Sequence, residues 1–159
     1  MPKQPIAEVS DSGPLLLDNQ ICFALYSTSL SMTRIYQPLL KRLQVTYPQY
    51  LVLLVLWEQD GRTVSELGER LCLDSGTMTP LLKRLEAFNY VQRERDVADE
   101  RRVVVSLTPA GRALRRRART VHEKVACATQ CSASDRATLT KQLCRLRGAL
   151  KKSLAESND

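Results

Sequence analysis

Residues 74–107, with the sequence DSGTMTPLLKRLEAFNYVQRERDVADERRVVVSL, determine the fold of this 159-residue chain. The first half of this segment has the spacing of a helix, because large apolar residues recur on one face: Leu81, Leu82, Leu85 and Phe88. A helix that begins at Asp74 or Ser75 has Pro80 about six residues inside it, where the ring and the missing N–H disfavour a regular helix. We therefore expect a helix to about Phe88 that bends at Pro80 or begins later.

The second half of the segment predicts a β-hairpin. Residues 91–93 and 103–107 have the composition of strands and flank a charged turn. Two capping-box patterns precede the segment, Thr46-Tyr47-Pro48-Gln49 and Thr63-Val64-Ser65-Glu66, and each predicts the start of a helix. Helix, turn, helix and hairpin in this order predict a winged helix-turn-helix module, which we assign to residues 46–107.

The N-terminal part of the chain predicts an arm followed by a long helix. Residues 1–14 contain one lysine, scattered acids and no apolar run, which argues against a secretory signal and favours a disordered arm. Apolar residues then recur at steps of three or four from Ile21 to Leu39, as on one face of a helix of about twenty residues. We expect Asp18 to cap this helix and Pro38 to kink or end it.

Two more helices are predicted after the hairpin. Thr108-Pro109 supplies a cap and a proline for the first turn of a fifth helix, which runs toward Ala128. We interpret the arginines within residues 115–119 as a solvated or salt-bridged face that adds long-range steering. A sixth helix starts at Ser134-Asp135. It carries a stripe of leucines that requires a partner: Leu139, Leu143, Leu146 and Leu150.

The positive charge of the chain is concentrated around the predicted hairpin. The chain has 24 Lys and Arg residues against 17 Asp and Glu residues, a net charge of +7. Residues 83–119 contain eleven basic and five acidic residues, so this segment accounts for +6 of the total. A basic winged helix predicts double-stranded DNA as the partner. The longest apolar stretch, Tyr50 to Trp57, is too short to cross a bilayer, so we expect a cytoplasmic protein without a membrane span.

Cys22 lies in the first turn of the first predicted helix. The positive end of the helix dipole favours the thiolate there, which is the form that attacks peroxides and disulfides. The alternative for Cys22 is a small buried hydrophobe, the role that we assign to Cys72 and Cys144 on apolar helix faces. Five cysteines without a framework-like spacing argue against a secreted disulfide scaffold, so we expect any disulfide to be conditional.

The motifs of the chain resemble those of the multiple-antibiotic-resistance regulator family of winged-helix repressors. The resemblance spans most of residues 18–150 and rests on four segments: 65–67, 74–86, 99–102 and 105–111. Within that family, residues 19–26 around Cys22, together with Tyr36 and Tyr47, are similar to the organic-hydroperoxide resistance regulators.

This resemblance implies an obligate homodimer in which the first, fifth and sixth helices of both chains interlock. Residues 15–45 and 108–152 form the helical dimerisation region in this interpretation, and the leucine stripe belongs to it. A two-fold dimer presents two recognition helices to successive major grooves, which predicts a pseudo-palindromic operator. The expected fold is mainly α-helical with a small β-hairpin.

The resemblance also indicates residues that contact DNA. The start of the fourth helix offers hydroxyl groups and charges to phosphates and base edges, from Ser75, Thr77, Thr79, Lys83 and Arg84. At the tip of the hairpin, Asp99 and Arg101 match the family's wing, where the arginine enters the minor groove and the aspartate orients it. Helix capping, solubility or an ordinary solvated turn are the alternatives for these residues.

For the redox chemistry, the resemblance implies that Tyr36 and Tyr47 donate hydrogen bonds to Cys22 of the other subunit. An organic or lipid hydroperoxide would oxidise this thiol to a sulfenic acid, which a second cysteine in the C-terminal region of the partner chain would trap as an intersubunit disulfide. We favour Cys127 over Cys131 as the resolving residue, because Cys127 falls earlier, where the fifth helix should still be ordered. Movement of the helices would then release the DNA.

Three alternative functions remain open. A repressor of the same family could sense a small phenolic ligand, Cys127 and Cys131 with His122 could bind a soft metal, and Cys22 could turn over hydroperoxide as a thiol peroxidase. The winged helix argues against an enzyme. One histidine without an acidic residue nearby gives the two cysteines too few additional ligands for a metal site. We therefore expect no enzymatic activity, no cofactor and no metal.

Overall fold

The computed structural model describes residues 15–157, and in this range the chain forms helices and one small antiparallel sheet. The helices are α1 (Ile21–Lys41), α2 (Tyr47–Glu58), α3 (Val64–Leu71), α4 (Ser75–Ala87), α5 (Pro109–Ala128) and α6 (Ala133–Glu156). The strands are β1 (Arg62–Thr63), β2 (Val91–Arg95) and β3 (Val103–Leu107). This architecture confirms the predicted fold class. The arm predicted for residues 1–14 lies outside the described residues.

Local capping bonds place the helices of the winged-helix module. The backbone N–H of Thr46 donates to the side-chain oxygen of Gln49 at 2.8 Å, and that of Thr63 donates to the carboxylate of Glu66 at 2.7 Å. Both predicted capping boxes are therefore confirmed. The side chain of Asp74 caps α4, which begins at Ser75, so the start predicted at Asp74 or Ser75 is confirmed and the alternative of a later start is wrong.

The start of α1 corrects one sequence prediction. Asp18 does not cap this helix, because it lies inside a short 3₁₀ turn over Leu17–Asn19. The N-cap position belongs to Gln20, which has the extended backbone that the residue before a helix requires. Pro38 does not end α1 either, since the helix continues to Lys41. Because Pro38 lies near the end of α1, the backbone hydrogen bond that its missing N–H removes belongs to the last turns of the helix.

Two further boundaries differ from the sequence prediction. The α6 helix begins at Ala133, one residue earlier than predicted, because the hydroxyl of Ser132 accepts from the N–H of Asp135 at 3.0 Å and caps it. The hairpin gains a third strand, since β1 pairs with β3 through Arg62–Val105 and Thr63–Val104. The strand order is β1-β3-β2, and β3 is therefore the central strand.

The core of the module is formed by the inner faces of α2, α3 and α4 and by the sheet. Its fully buried side chains include Leu53, Leu56, Leu67, Met78, Leu82, Leu85 and Val105. The interior is therefore apolar, and the opposite faces of α4 and of the hairpin are left to solvent.

The chain divides into two compact units, residues 1–115 and 116–159. Within the described residues, the first unit contains α1 to α4, the sheet and the start of α5, and the second contains the rest of α5 and α6. The α6 helix buries none of its residues, and three leucines of the predicted stripe are 40–55% exposed: Leu139, Leu143 and Leu150. None of the helices in residues 15–157 is both long and apolar enough to cross a membrane.

Candidate nucleic-acid interface and thiol site

The N-terminal turn of α4 is organised by Asp74. One carboxylate oxygen accepts the backbone N–H of Thr77 at 2.8 Å, and the other accepts its hydroxyl at 2.9 Å. These two bonds hold the pKa of Asp74 below its ordinary value, so the cap is ionised at neutral pH. The hydroxyl of Thr79 donates to the carbonyl of Ser75 at 2.9 Å. Both threonines thus use their hydroxyl protons within the helix and offer only lone pairs outward.

The exposed face of α4 contains every residue that the sequence assigned to it. Met78, Leu82 and Leu85 are buried, and the opposite face is exposed. The predicted residues on that face are Ser75, Thr77, Thr79, Lys83 and Arg84. Gly76 and Pro80 lie on it as well and were missed, although their spacing from the threonines places them on the same surface.

The wing brings Asp99 and Arg101 together. A carboxylate oxygen of Asp99 accepts the backbone N–H of Arg101 at 3.1 Å, and the carbonyl of Asp99 accepts the N–H of Arg102 at 2.9 Å. Both predicted residues are exposed at the tip. In the free chain the aspartate therefore shapes the turn through the backbone of Arg101.

An ion pair connects α4 to the wing. The guanidinium of Arg93 on β2 donates to one carboxylate oxygen of Glu86 at 2.6 and 3.0 Å, and the backbone N–H of Arg93 donates to the other at 3.3 Å. These contacts lower the pKa of Glu86. They hold the strand that leads to the wing tip against the predicted recognition helix.

Cys22 is exposed in the first turn of α1, where the sequence places it. Its helical neighbours include Ile21 and Tyr26, which are 60% and 62% exposed. The thiol is therefore open to a small oxidant in the single chain, and it is surrounded by apolar surface. The alternative of a buried packing residue does not describe this position.

The packing role predicted for Cys72 is wrong, whereas that of Cys144 stays a prediction, because the single chain leaves all of α6 uncovered. Cys72 is exposed at the C-cap of α3, in a left-handed backbone conformation that takes it off the apolar face of the helix. Cys144 is exposed on α6, where its sulfur accepts a hydrogen bond from Arg147 Nη2 at 3.8 Å. Helical spacing failed at Cys72 because α3 ends at Leu71, and on α6 no residue is buried within the described chain.

Tyr36 and Tyr47 are brought together as the resemblance predicts. Their ring centroids lie 4.7 Å apart, at the point where α1 and the first turn of α2 meet. Burial raises the pKa of Tyr36 to about 12, and the neighbouring phenols of Tyr47 and Tyr50 add to this increase. Burial also raises the pKa of Tyr47. Both phenols therefore keep their protons at neutral pH and remain hydrogen-bond donors.

Sequence reasoning missed that Tyr50 and Trp57 extend this pair. The ring of Tyr50 lies 5.9 Å from that of Tyr36 and 6.2 Å from that of Trp57. Both residues are buried, with 3% and 9% of their surface exposed. Their spacing on α2 offered a signal, because Tyr47, Tyr50 and Trp57 are separated by three and seven residues and share one helix face.

Cys127 and Cys131 flank the end of α5. Cys127 lies in the last turn of the helix, and its carbonyl accepts the N–H of Gln130 at 3.1 Å. Gln130 has a left-handed backbone, and Cys131 follows it in the connection to α6. Both thiols are exposed. Among residues 15–157, no three His, Cys, Asp or Glu side chains are placed to hold a metal ion, so His122 does not complete a metal site with this pair.

An open groove of about 910 Å³ lies between α1, α2 and α4. Its apolar lining includes Leu40, Tyr47 and Phe88, and its charged lining consists of Lys41 and Arg84. The groove therefore combines an apolar surface with two cationic side chains.

The chain matches known regulators over most of its length. A family model described as transcriptional regulator SarA/Rot covers residues 34–117. The HTH-type transcriptional regulator TtmR of Methylorubrum extorquens (strain PA1) is 45% identical over 93% of this chain and 76% of its own. The organic hydroperoxide resistance transcriptional regulator of Bacillus subtilis (strain 168) is 53% identical over 64% of this chain and 69% of its own.

Solved structures of one regulator have the same fold. AbfR of Staphylococcus epidermidis superposes with a TM-score of 0.71 at 33% identity, over 86% of this chain and 92% of that chain. Reduced AbfR bound to DNA superposes with a TM-score of 0.69 at 35% identity, over 84% and 93% of the two chains. AbfR has also been solved in an overoxidized form bound to DNA and in a disulfide form.

Proposed function

Because the chain belongs to the multiple-antibiotic-resistance regulator (MarR) family of winged-helix transcriptional regulators, we propose that it is a repressor whose DNA affinity depends on the redox state of Cys22. The reduced homodimer binds a pseudo-palindromic operator and releases it when an organic hydroperoxide oxidises Cys22. The observation that carries this proposal is the exposed thiol in the first turn of α1, in a chain 53% identical over 102 residues to an organic hydroperoxide resistance regulator.

The exposed apolar surfaces of α1 and α6 support a homodimer. Leu139, Leu143 and Leu150 of α6 are half-exposed, and Ile21 and Tyr26 of α1 are more exposed still. Surfaces of this kind require a partner in water, and a second copy of the chain offers the same surfaces in a two-fold arrangement. Two copies of α4 then face one duplex.

The chemistry requires two thiols and one hydroperoxide. The thiolate of Cys22 attacks the distal oxygen of the peroxide, the O–O bond breaks, and the alcohol leaves with a proton. The thiol of Cys127 from the partner subunit then attacks the sulfenic sulfur of Cys22, so that an S–S bond forms and water leaves. Two electrons from the thiols reduce the peroxide. Tyr36 and Tyr47 favour the first step as donors to the thiolate, since both remain protonated.

We assign the release of DNA to the disulfide. AbfR has been solved on DNA in both its reduced and its overoxidized form, so in that relative a more highly oxidised thiol is compatible with DNA binding. A disulfide differs from a simple oxidation because it requires two Cα atoms within about 7 Å. Closing this bond between subunits moves the helices that carry the two cysteines, and therefore changes the spacing of the recognition helices.

Operator binding by cysteine variants tests the proposal. Fluorescence anisotropy of a labelled operator should show at least about a tenfold loss of affinity when cumene hydroperoxide is added to the wild type. Cys22→Ser should abolish this loss, and the matched control Cys72→Ser, also an exposed thiol, should keep it. A full response in Cys22→Ser would contradict the proposal.

Non-reducing electrophoresis identifies the resolving residue. Hydroperoxide should convert the wild type to a disulfide-linked dimer, and Cys127→Ser should prevent this conversion. If Cys131→Ser prevents it and Cys127→Ser does not, the resolving role belongs to Cys131. The two variants are well matched, since both thiols are exposed at the same end of α5.

The groove between α1, α2 and α4 supports a second candidate function, the sensing of a small phenolic anion. Lys41 and Arg84 supply the charge, and Arg84 belongs to the predicted DNA-binding helix. Salicylate should then weaken operator binding in Cys22→Ser as much as in the wild type, and Lys41→Ala should abolish this effect. The redox mechanism predicts no effect of salicylate on either protein.

A further inference from the structure

Trp57 joins α2 to the start of α5. It is the single tryptophan of the chain, and only 9% of its surface is exposed. Its indole N–H donates a buried hydrogen bond of 3.0 Å to the carbonyl of Gly111, which is 54 residues away in the sequence. A buried N–H is costly to leave without an acceptor, so the ring and this carbonyl must move together.

Gly111 is packed against the backbone at the root of the wing. A Cβ atom built on Gly111 would lie 2.0 Å from the carbonyl oxygen of Tyr90, the residue before β2. That same carbonyl accepts the N–H of Thr108 at 3.1 Å, and the hydroxyl of Thr108 donates to the carbonyl of Asn89. The first turn of α5 and the root of the wing therefore form one tightly packed junction.

On its other side, Trp57 contacts the aromatic cluster that contains the tyrosine pair. Its ring lies 6.2 Å from Tyr50, which lies 5.9 Å from Tyr36, which in turn lies 4.7 Å from Tyr47. Aromatic side chains in contact at these distances have few alternative arrangements in a closely packed interior. A displacement of the tyrosine pair must therefore be accommodated at Trp57.

From these contacts we propose that Trp57 is a positioning residue that couples the tyrosine pair to the wing through its hydrogen bond to Gly111. This inference rests on the proposed function, in which the tyrosines bind the sulfur of Cys22. When the disulfide draws that sulfur away from the tyrosines, their rings repack, the indole follows, and the first turn of α5 changes its position against the carbonyl of Tyr90. The wing then no longer fits the minor groove while α4 is bound in the major groove.

The ratio of operator dissociation constants in the oxidised and reduced states measures this coupling. Trp57→Phe keeps an aromatic ring but removes the N–H donor. We expect the reduced form of Trp57→Phe to bind the operator with an affinity within about threefold of that of the wild type. The ratio should fall by about five- to tenfold, which is the size of effect expected from the loss of one buried hydrogen bond between the two sites. The disulfide itself should still form, with Cys22 consumed at the wild-type rate.

Tyr90→Phe is the matched control. It removes one hydrogen bond between distant segments, from the phenol of Tyr90 to the carbonyl of Leu43 at 3.1 Å, without touching the indole. Both variants should lower the melting temperature to a similar extent, but Tyr90→Phe should leave the ratio unchanged. A reduction of the ratio in Tyr90→Phe as large as that in Trp57→Phe would overturn the inference, since the effect would then follow from lost stability.

The fluorescence of Trp57 provides a second readout in the wild type. As the single tryptophan, it should change its emission when hydroperoxide is added, and it should not change in Cys22→Ser. If the wild type releases its operator while the emission of Trp57 and the ratio in Trp57→Phe stay constant, the coupling role is wrong and the redox function stands. If hydroperoxide leaves operator binding of the wild type unchanged, the proposed function fails and this inference fails with it.

Discussion

Replacing Gly111 by alanine tests the close approach of α5 to the root of the wing. The new methyl group would lie 2.0 Å from the carbonyl oxygen of Tyr90 and 3.2 Å from a methyl group of Leu107. Because the nearer neighbour is backbone, the helix itself must move away by more than about 1 Å. Overpacking of this kind costs about 1–3 kcal/mol, and weakening the bonds of Trp57 and Thr108 at this junction adds about 1 kcal/mol for each.

Helix propensity acts in the opposite direction. Alanine is favoured over glycine within a helix by about 1 kcal/mol, so propensity alone predicts that Gly111→Ala stabilises the protein. The packing terms are larger, and we expect a net loss of about 2–4 kcal/mol in the free energy of unfolding. For a chain of this size, that loss corresponds to a decrease of about 5–15 °C in the melting temperature.

Gly148→Ala is the control, because a Cβ atom there meets nothing within 4 Å on α6. Urea unfolding of both variants at one protein concentration holds the concentration dependence of a dimer constant in the comparison. Gly148→Ala should be as stable as the wild type or more stable by up to about 1 kcal/mol. If Gly111→Ala behaved in the same way, the packing of α5 on Tyr90 would be refuted.

Three more predictions concern α4 and the wing. Asp74→Ala should lower the midpoint of urea denaturation, because the cap of α4 is lost, and Asp74→Ser should restore most of the difference. Glu86→Gln should lower the free energy of unfolding by about 1 kcal/mol near neutral pH. Because the folded state lowers the pKa of Glu86, the ion pair stabilises the protein above the ordinary carboxyl pKa and is lost as the pH falls. The urea unfolding curves of Glu86→Gln and the wild type should therefore converge below about pH 4. Arg101→Ala should weaken operator binding about tenfold and reduce the number of ions released on binding by about one. Arg119→Ala on α5 should change neither quantity by more than about twofold. Anisotropy titrations at several salt concentrations measure both quantities.

The module could be predicted closely because its signals are local. A capping box spans four residues, so the patterns at Thr46 and Thr63 fix the starts of α2 and α3 without knowledge of the rest of the chain. The hairpin was also recognisable, since β2 and β3 are adjacent in sequence. The two-residue strand β1 was not, because Arg62 and Thr63 become a strand only by pairing with Val104 and Val105.

The errors arise where the outcome depends on distant residues. Helical spacing places Cys144 on an apolar face of α6 but does not reveal what covers that face, and it does not show that α3 ends before Cys72. The tyrosine pair was predicted from a resemblance, but the packing around it was not predicted. Tyr50 of α2 contacts the pair, and the indole of Trp57 donates to an acceptor 54 residues further along the chain. A contact across such a separation leaves no periodic trace in the sequence.

The aromatic packing also determines the protonation of the tyrosine pair. The pKa of Tyr36 reaches about 12 because the ring is buried among its neighbours, so the phenol can donate to a thiolate but cannot take its proton. In the proposed mechanism the tyrosines therefore act on Cys22 only as hydrogen-bond donors. Tyr50 contacts both Tyr36 and Trp57. The aromatic cluster that raises the pKa of Tyr36 therefore also connects, through Trp57, to the root of the wing. A change at Tyr50 should consequently alter the oxidation of Cys22 and the release of DNA together, whereas a change at Trp57 separates the two.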